Sequence, residues 1–288
     1  MEEEGMRGFV ISISALLLFS VIVSFVFFLY YENSVLENRL STRGAPPSFV
    51  FDDIAADLNA ISNLNISANR SNATLSVQAQ GAFSNAPNAS TYSSYAHFLS
   101  TNYSNLTNSN LSLDASGLSD GSAEALFSNG LAFSYAYAGA SKSSVFSTSS
   151  SDTDASAYEV NVSVDRQRNN YIPWSSSPNG NLNVTLRITD RSGTISSIVT
   201  LNRSSANSFI VMYQGGQLAV RAGKIGAADG ALQINPSGTI VDCTSYSANA
   251  FFPPGNLSSS IRYYWNAWLS YSIPGNLSKS DWVEIGRT

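Results

Sequence analysis

An α+β fold is predicted: a long N-terminal hydrophobic helix, then a small α/β region, then a mainly antiparallel β-sandwich. Three observations predict it. Phe9 to Tyr31 is a run of 23 residues without a charge, proline or glycine. Two stretches after it place apolar residues at helical spacing, with Val50, Ile54, Leu58, Ile61 and Leu64 in one and Tyr92, Tyr95, Phe98, Leu99, Tyr103 and Leu106 in the other. From Glu124 the period changes to two, through Ala136 and again from Tyr158 onward, which is the signature of half-buried strands.

As a helix the first run would span roughly 35 Å, enough for a bilayer core of about 30 Å. Tyr30 and Tyr31 stand where an interfacial aromatic belt belongs. Glu32 to Arg43 continues with Val35, Leu36 and Leu40 at helical spacing until Gly44-Ala45-Pro46-Pro47 breaks it. Residues 9–43 are therefore expected to form one transmembrane or assembly helix, preceded by a leader at 1–8. In the next helix, opened by Ser48 or Asp52, the residues Asp52, Asp53 and Asp57 read as solvated or dipole-satisfying. His97 has no His or Cys partner nearby and reads as a packed or surface ring.

The strands expected are in Glu124 to Ala136 and Tyr158 to Val164, then Leu182 to Ile188 joined through Thr189–Gly193 to a return strand ending at Leu201. Further short strands are expected at 208–213, 217–221, 231–235 and 239–244, with turns at Gly215-Gly216, Gly223–Gly230 and Pro236-Ser237-Gly238. The Ser-rich stretch 141–156 has no apolar period and reads as a linker. It separates a membrane-proximal α+β region at 48–140 from a β-sandwich-like domain at 157–288.

Composition narrows the function. Only 12% of residues are charged against about 25% in an average chain, whereas Ser, Thr and Asn number 52, 14 and 27. A net charge of −5 with no basic run leaves no electrostatic footprint for nucleic acid. One Cys (Cys243) and one His (His97) leave no set for a His/Cys metal cluster, and no enzyme activity or cofactor is expected. Ser151-Asp152-Thr153-Asp154 lacks the glycine turn and distal Glu of a calcium loop. Among Tyr263, Tyr264, Trp265, Trp268 and Tyr271, strand alternation puts Tyr263, Trp265, Leu269 and Tyr271 on one side, as a core face does, although the cluster could also offer a sugar-stacking platform.

Twelve Asn-x-Ser/Thr sequons follow the apolar run, at Asn65, Asn69, Asn72, Asn88, Asn102, Asn105, Asn110, Asn161, Asn183, Asn202, Asn256 and Asn276. Composition alone would produce about six. These glycosylation candidates place the C-terminal part outside the cell, where sugar keeps a Ser/Asn-rich surface soluble. The chain is thus expected in the cell membrane, crossing it once, with the lipid bilayer as a partner.

The junction Met6-Arg7-Gly8-Phe9-Val10-Ile11-Ser12-Ile13 resembles the class III signal of type IV pilin-like proteins, particularly archaeal ones. The resemblance covers about the first 40 residues. It implies cleavage between Gly8 and Phe9 by a prepilin peptidase, retention of the apolar segment, and packing of that segment against its copies or other pilin-like subunits in a surface filament. Ser20 and Ser24 form a small-x-x-x-small pair suited to such helix packing. The length suits a minor or accessory pilin-like protein with a structural or adhesive role. The alternative reading is a membrane-anchored extracellular binding module, for instance carbohydrate-binding, that does not polymerise.

Overall fold

The computed structural model describes residues 47–71, 74–85, 89–119, 122–136, 142–148, 155–174, 180–253, 261–273 and 277–287. They build two facing sheets. The first has six strands in the order β1 (Asn65–Arg70), β2 (Leu75–Ala82), β14 (Thr244–Phe252), β7 (Ala157–Val164), β9 (Leu182–Asp190) and β10 (Gly193–Leu201). The second runs β16 (Leu277–Arg287), β15 (Arg262–Ile273), β4 (Ser122–Phe127), β5 (Leu131–Ala136), β6 (Ser143–Thr148), β13 (Ala228–Gly238), β12 (Gly216–Ile225), β11 (Ala206–Tyr213) and β8 (Arg168–Ile172), with β3 (Asn110–Asp114) also paired to β15. All pairs are antiparallel except β7 with β9.

Alternation fills the space between the sheets. Val160, Val162, Val184, Leu186 and Ile188 from the first sheet are buried with Phe133, Phe146, Leu218, Val220 and Ile234 from the second. Contacts cross the gap directly: the Phe146 and Tyr158 rings lie 6.2 Å apart, and the Tyr158 hydroxyl donates to the Gly230 carbonyl at 2.8 Å. A buried phenol keeps its solvation energy only by finding such an acceptor.

Two helical pieces close one end. Helix α1 (Pro47–Ser62) buries Val50, Phe51, Ile54 and Leu58. Its proline sits in the opening turn, where a missing amide hydrogen costs little. The helix lies beside β16, with the Lys279 ammonium 4.3 Å above the Phe51 ring, and Asn59 accepts a 2.7 Å hydrogen bond from the Trp265 indole N–H. Helix α2 (Ala89–Phe98) passes through a π-helical turn (Leu99–Tyr103) into α3 (Ser104–Thr107). Tyr95 donates to Asp57 and Tyr103 to Asp53, each at 2.7 Å. Eight residues at about 100° each would leave those rings roughly 80° apart around an unbroken helix. The wider π turn takes up the difference.

Asp52, Asp53 and Asp57 are exposed, as the solvated reading expects, and only its dipole alternative is corrected. With α1 opening at Pro47, no acidic residue falls in its first turn, so the dipole account fails, and Asp53 and Asp57 instead tie α2 to α1. Burial, followed by the hydrogen bond to Asp53, pushes the Tyr103 phenol up to about 12 from its usual value near 10. The folded state therefore holds this proton where the unfolded chain has released it. Its stabilising contribution is full below pH ~10 and is lost as pH rises from about 10 to about 12. In a ring-resonance titration, Asp53→Asn is expected to move the Tyr103 midpoint back toward 10; an unmoved midpoint would leave burial as the whole cause.

The expected α+β class is corrected: the described residues are mostly strand, with few helices, although the β-sandwich part of the expectation fits. No helix among the described residues is long and apolar enough to cross a membrane, and the expected helix at 9–43 and leader at 1–8 lie outside them. β1 and β2, from the region read as membrane-proximal, pair into the sheet holding β14 and β7. Inside the segment read as a linker, β6 hydrogen-bonds to β5 on one side and β13 on the other. Backbone pairing needs no apolar side chain, and Phe146 alone gives β6 a large buried anchor. Residues 239–243 form a turn that ends in a 3-10 helix (Val241–Cys243) rather than a strand, and Thr244 opens β14. Local bonds from Thr244 Oγ1 and Cys243 Sγ to the Ile240 carbonyl, at 2.6 and 3.3 Å, compete with sheet pairing there. Gly223 to Gly230 holds no long loop either, since β12 and β13 extend through a bulge to within two residues of each other.

Candidate functional site

The sequons are laid out by strand register. Asn65, Gln80, Ser247 and Asn161 form one cross-strand row on the outer face of the six-stranded sheet. Asn69, Ser76, Phe251, Ala157 and Asn183 form another. Four candidate asparagines thus share one face. Asn102 and Asn105 lie on the π turn and α3, Asn110 on β3, and Asn202 follows β10. Seven of the eight described sequon asparagines are exposed and Asn202 is half-buried, whereas five of the eleven other asparagines with described exposure are exposed. Among the described residues, sequon asparagines are thus exposed more often than the other asparagines. Asn72, Asn88, Asn256 and Asn276 lie outside the described residues, as do Gly8, Phe9, Ser20, Ser24 and the Ser151–Asp154 loop. His97 is exposed on α2.

β15 divides its aromatics between two faces. Tyr263, Trp265, Leu269 and Tyr271 point inward and are buried. Trp268 is 38% exposed and meets Trp282 of β16, 40% exposed, edge to face with ring centroids 5.2 Å apart. Ser280 Oγ donates to Ser270 Oγ at 3.0 Å two pairs further along. Strand alternation could have separated Trp268 from Trp265, but only the register of β15 with β16 brings Trp282 opposite it.

A third feature was not visible in the sequence. At one end of the sandwich the connection after β7, the β9–β10 turn and the β11–β12 turn enclose a cavity of about 680 Å³ lined by Arg166, Gln167, Arg168, Asn169, Arg191, Gln214, Gly215 and Thr239. One lining residue, Arg168, is held by an ion pair. Arg168 Nη1 lies 3.1 Å from both carboxylate oxygens of Asp190 and also donates to the Gly193 carbonyl at 3.1 Å. The Asp190 side chain is fully buried and that of Arg168 is 20% exposed. The Ser192 amide and the Tyr213 hydroxyl also donate to Asp190, at 2.7 and 3.4 Å. Burial, then the charge of Asp190, holds the Tyr213 phenol well above its ordinary value.

On the rim, Arg191 Nε donates to Asp165 at 2.7 Å and holds that carboxyl below the usual range. Gly215 has φ +80°, and a Cβ there would stand 2.8 Å from Thr239 Oγ1, so this turn needs glycine. No family model, curated protein or solved structure matches the chain. The residues themselves must carry any functional reading. Among the described residues no group of three His, Cys, Asp or Glu could hold a metal ion. What the cavity offers is hydrogen-bond donors, with Arg168 among them braced by Asp190.

Proposed function

We propose that the chain is a cell-surface structural or adhesive protein of the type IV pilin-like kind, held at the membrane by the apolar segment 9–31 with its β-sandwich displayed outside. The observation that carries the display is the exposure of seven of eight described sequon asparagines, four of them on one sheet face. Sugar at those positions would solvate a surface with few charges. Arg7-Gly8-Phe9 carries the pilin-like part, through the class III signal it resembles.

The test is the intact mass and N-terminal sequence of the protein taken from membranes. Expected are a chain beginning at Phe9 and mass in excess of the polypeptide that enzymatic deglycosylation removes. An intact Met1 or Met6 start would remove the pilin-like reading. A mass equal to that of the bare polypeptide would remove the sugar-bearing surface.

A second reading, the anchored binding module that does not polymerise, is favoured by the exposed Trp268–Trp282 pair beside the Ser270 and Ser280 hydroxyls. Sugar rings bring apolar C–H faces and hydroxyl groups, which an aromatic surface and hydroxyls can match. Surface filaments that contain the chain favour the first reading, and their absence the second.

A further inference from the structure

The geometry points to the arginine-lined cavity as a binding site for an acidic sugar, a sugar unit that bears a carboxylate or sulfate group. The assignment goes beyond surface display, because it rests on the cavity alone. Three of the chain's fifteen basic residues meet here, in a protein of net charge −5. Asp165 and Asp190 compensate two of them, so the cavity keeps one positive charge in excess. The Arg166 guanidinium has no hydrogen-bond partner among the described residues, is exposed and lines the cavity. Arg168 uses only Nη1 on Asp190, and Arg191 only Nε on Asp165. Each guanidinium therefore keeps N–H donors for an incoming oxyanion, and their fork geometry suits carboxylate or sulfate.

The rest of the lining selects the body of the ligand. Gln167, Asn169 and Gln214 supply amide donors and acceptors, and Thr239 a hydroxyl. Among the described residues no aromatic or aliphatic side chain lines the cavity. A nucleobase would find no aromatic ring to stack on, and an apolar peptide side chain no pocket. A hydroxyl-rich ring matches this lining, and the volume of about 680 Å³ falls within the usual range for ligand sites. The donors stand on turns that the two sheets hold in place, with the buried Asp190 fixing Arg168 among them. Little ordering remains to be done when a ligand enters.

The experiment is calorimetric titration of the full chain, in neutral detergent, with a uronic-acid oligomer, a sulfated oligomer, a neutral oligomer of the same length and a phosphoserine peptide. One or both acidic oligomers are expected to bind, more weakly as salt is raised, and which of them binds identifies the anionic group. Arg166→Gln is expected to weaken binding about tenfold, the lower end for a lost charged hydrogen bond. Its melting temperature should change little, because that side chain is exposed and makes no hydrogen bond among the described residues. Gln214→Ala should also weaken the acidic oligomers. Equal binding of the neutral oligomer, tighter binding of the phosphopeptide, affinity unaffected by Arg166→Gln, or no binding of either acidic oligomer would each overturn the assignment.

Discussion

Trp265→Ala is expected to lower the unfolding free energy by about 3–5 kcal/mol, a fall of roughly 10 °C in melting temperature for a chain of this size. The ring is 1% exposed, among the largest fully buried side chains, and sits where α1 closes over β15. Truncation would open a cavity that two sheets and a helix cannot collapse together to fill. It would also remove the 2.7 Å bond to Asn59 that ties α1 to the sandwich. Trp265→Phe separates the two contributions. It keeps most of the ring and loses the indole donor, so about 1 kcal/mol of extra loss is expected from the hydrogen bond. A denaturant midpoint for Trp265→Ala within the range of an exposed substitution would mean that α1 does not seal this end of the core.

Asp190→Ala should cost about as much, roughly 3–5 kcal/mol, because it leaves a mostly buried guanidinium without its counter-charge. The ion pair joins β8, at the edge of one sheet, to the β9–β10 turn of the other. Its loss would loosen the sandwich at the end that carries the arginine-lined cavity. Arg168→Met in the same chain should restore part of the lost stability, since removing both charges also removes the desolvation they suffer. Single and double variants unfolded side by side form the test. If the two single losses simply add, Asp190 and Arg168 do not act as a pair.

The ion pair also explains why the cavity could not be read from the chain. Arg166, Arg191 and Gln214 lie on three separate turns, and each taken alone reads as a solvated turn residue. Only closure of the two sheets brings those turns together. The Trp268–Trp282 pair has the same origin, since a register between β15 and β16 shifted by one residue would send one ring inward.

The periods were legible in the chain. The alternation of Tyr158, Val160, Val162 and Val164, and of Leu182, Val184, Leu186 and Ile188, matches the buried faces of β7 and β9. The spacing of Val50, Ile54 and Leu58 matches that of α1. Such patterns are local, because the faces of a strand or helix are set by its own backbone geometry. The tertiary structure decided which strands are neighbours. It placed β7 beside β9 in parallel, carried β2 to the far C-terminal β14, and made a strand of the Ser-rich segment at β6. Sheet hydrogen bonds join backbone groups whatever the side chains are, so pairing between distant segments leaves little trace in the chain. Serine in β6 could be judged only once Phe146 had a core to enter and β5 and β13 had edges to share.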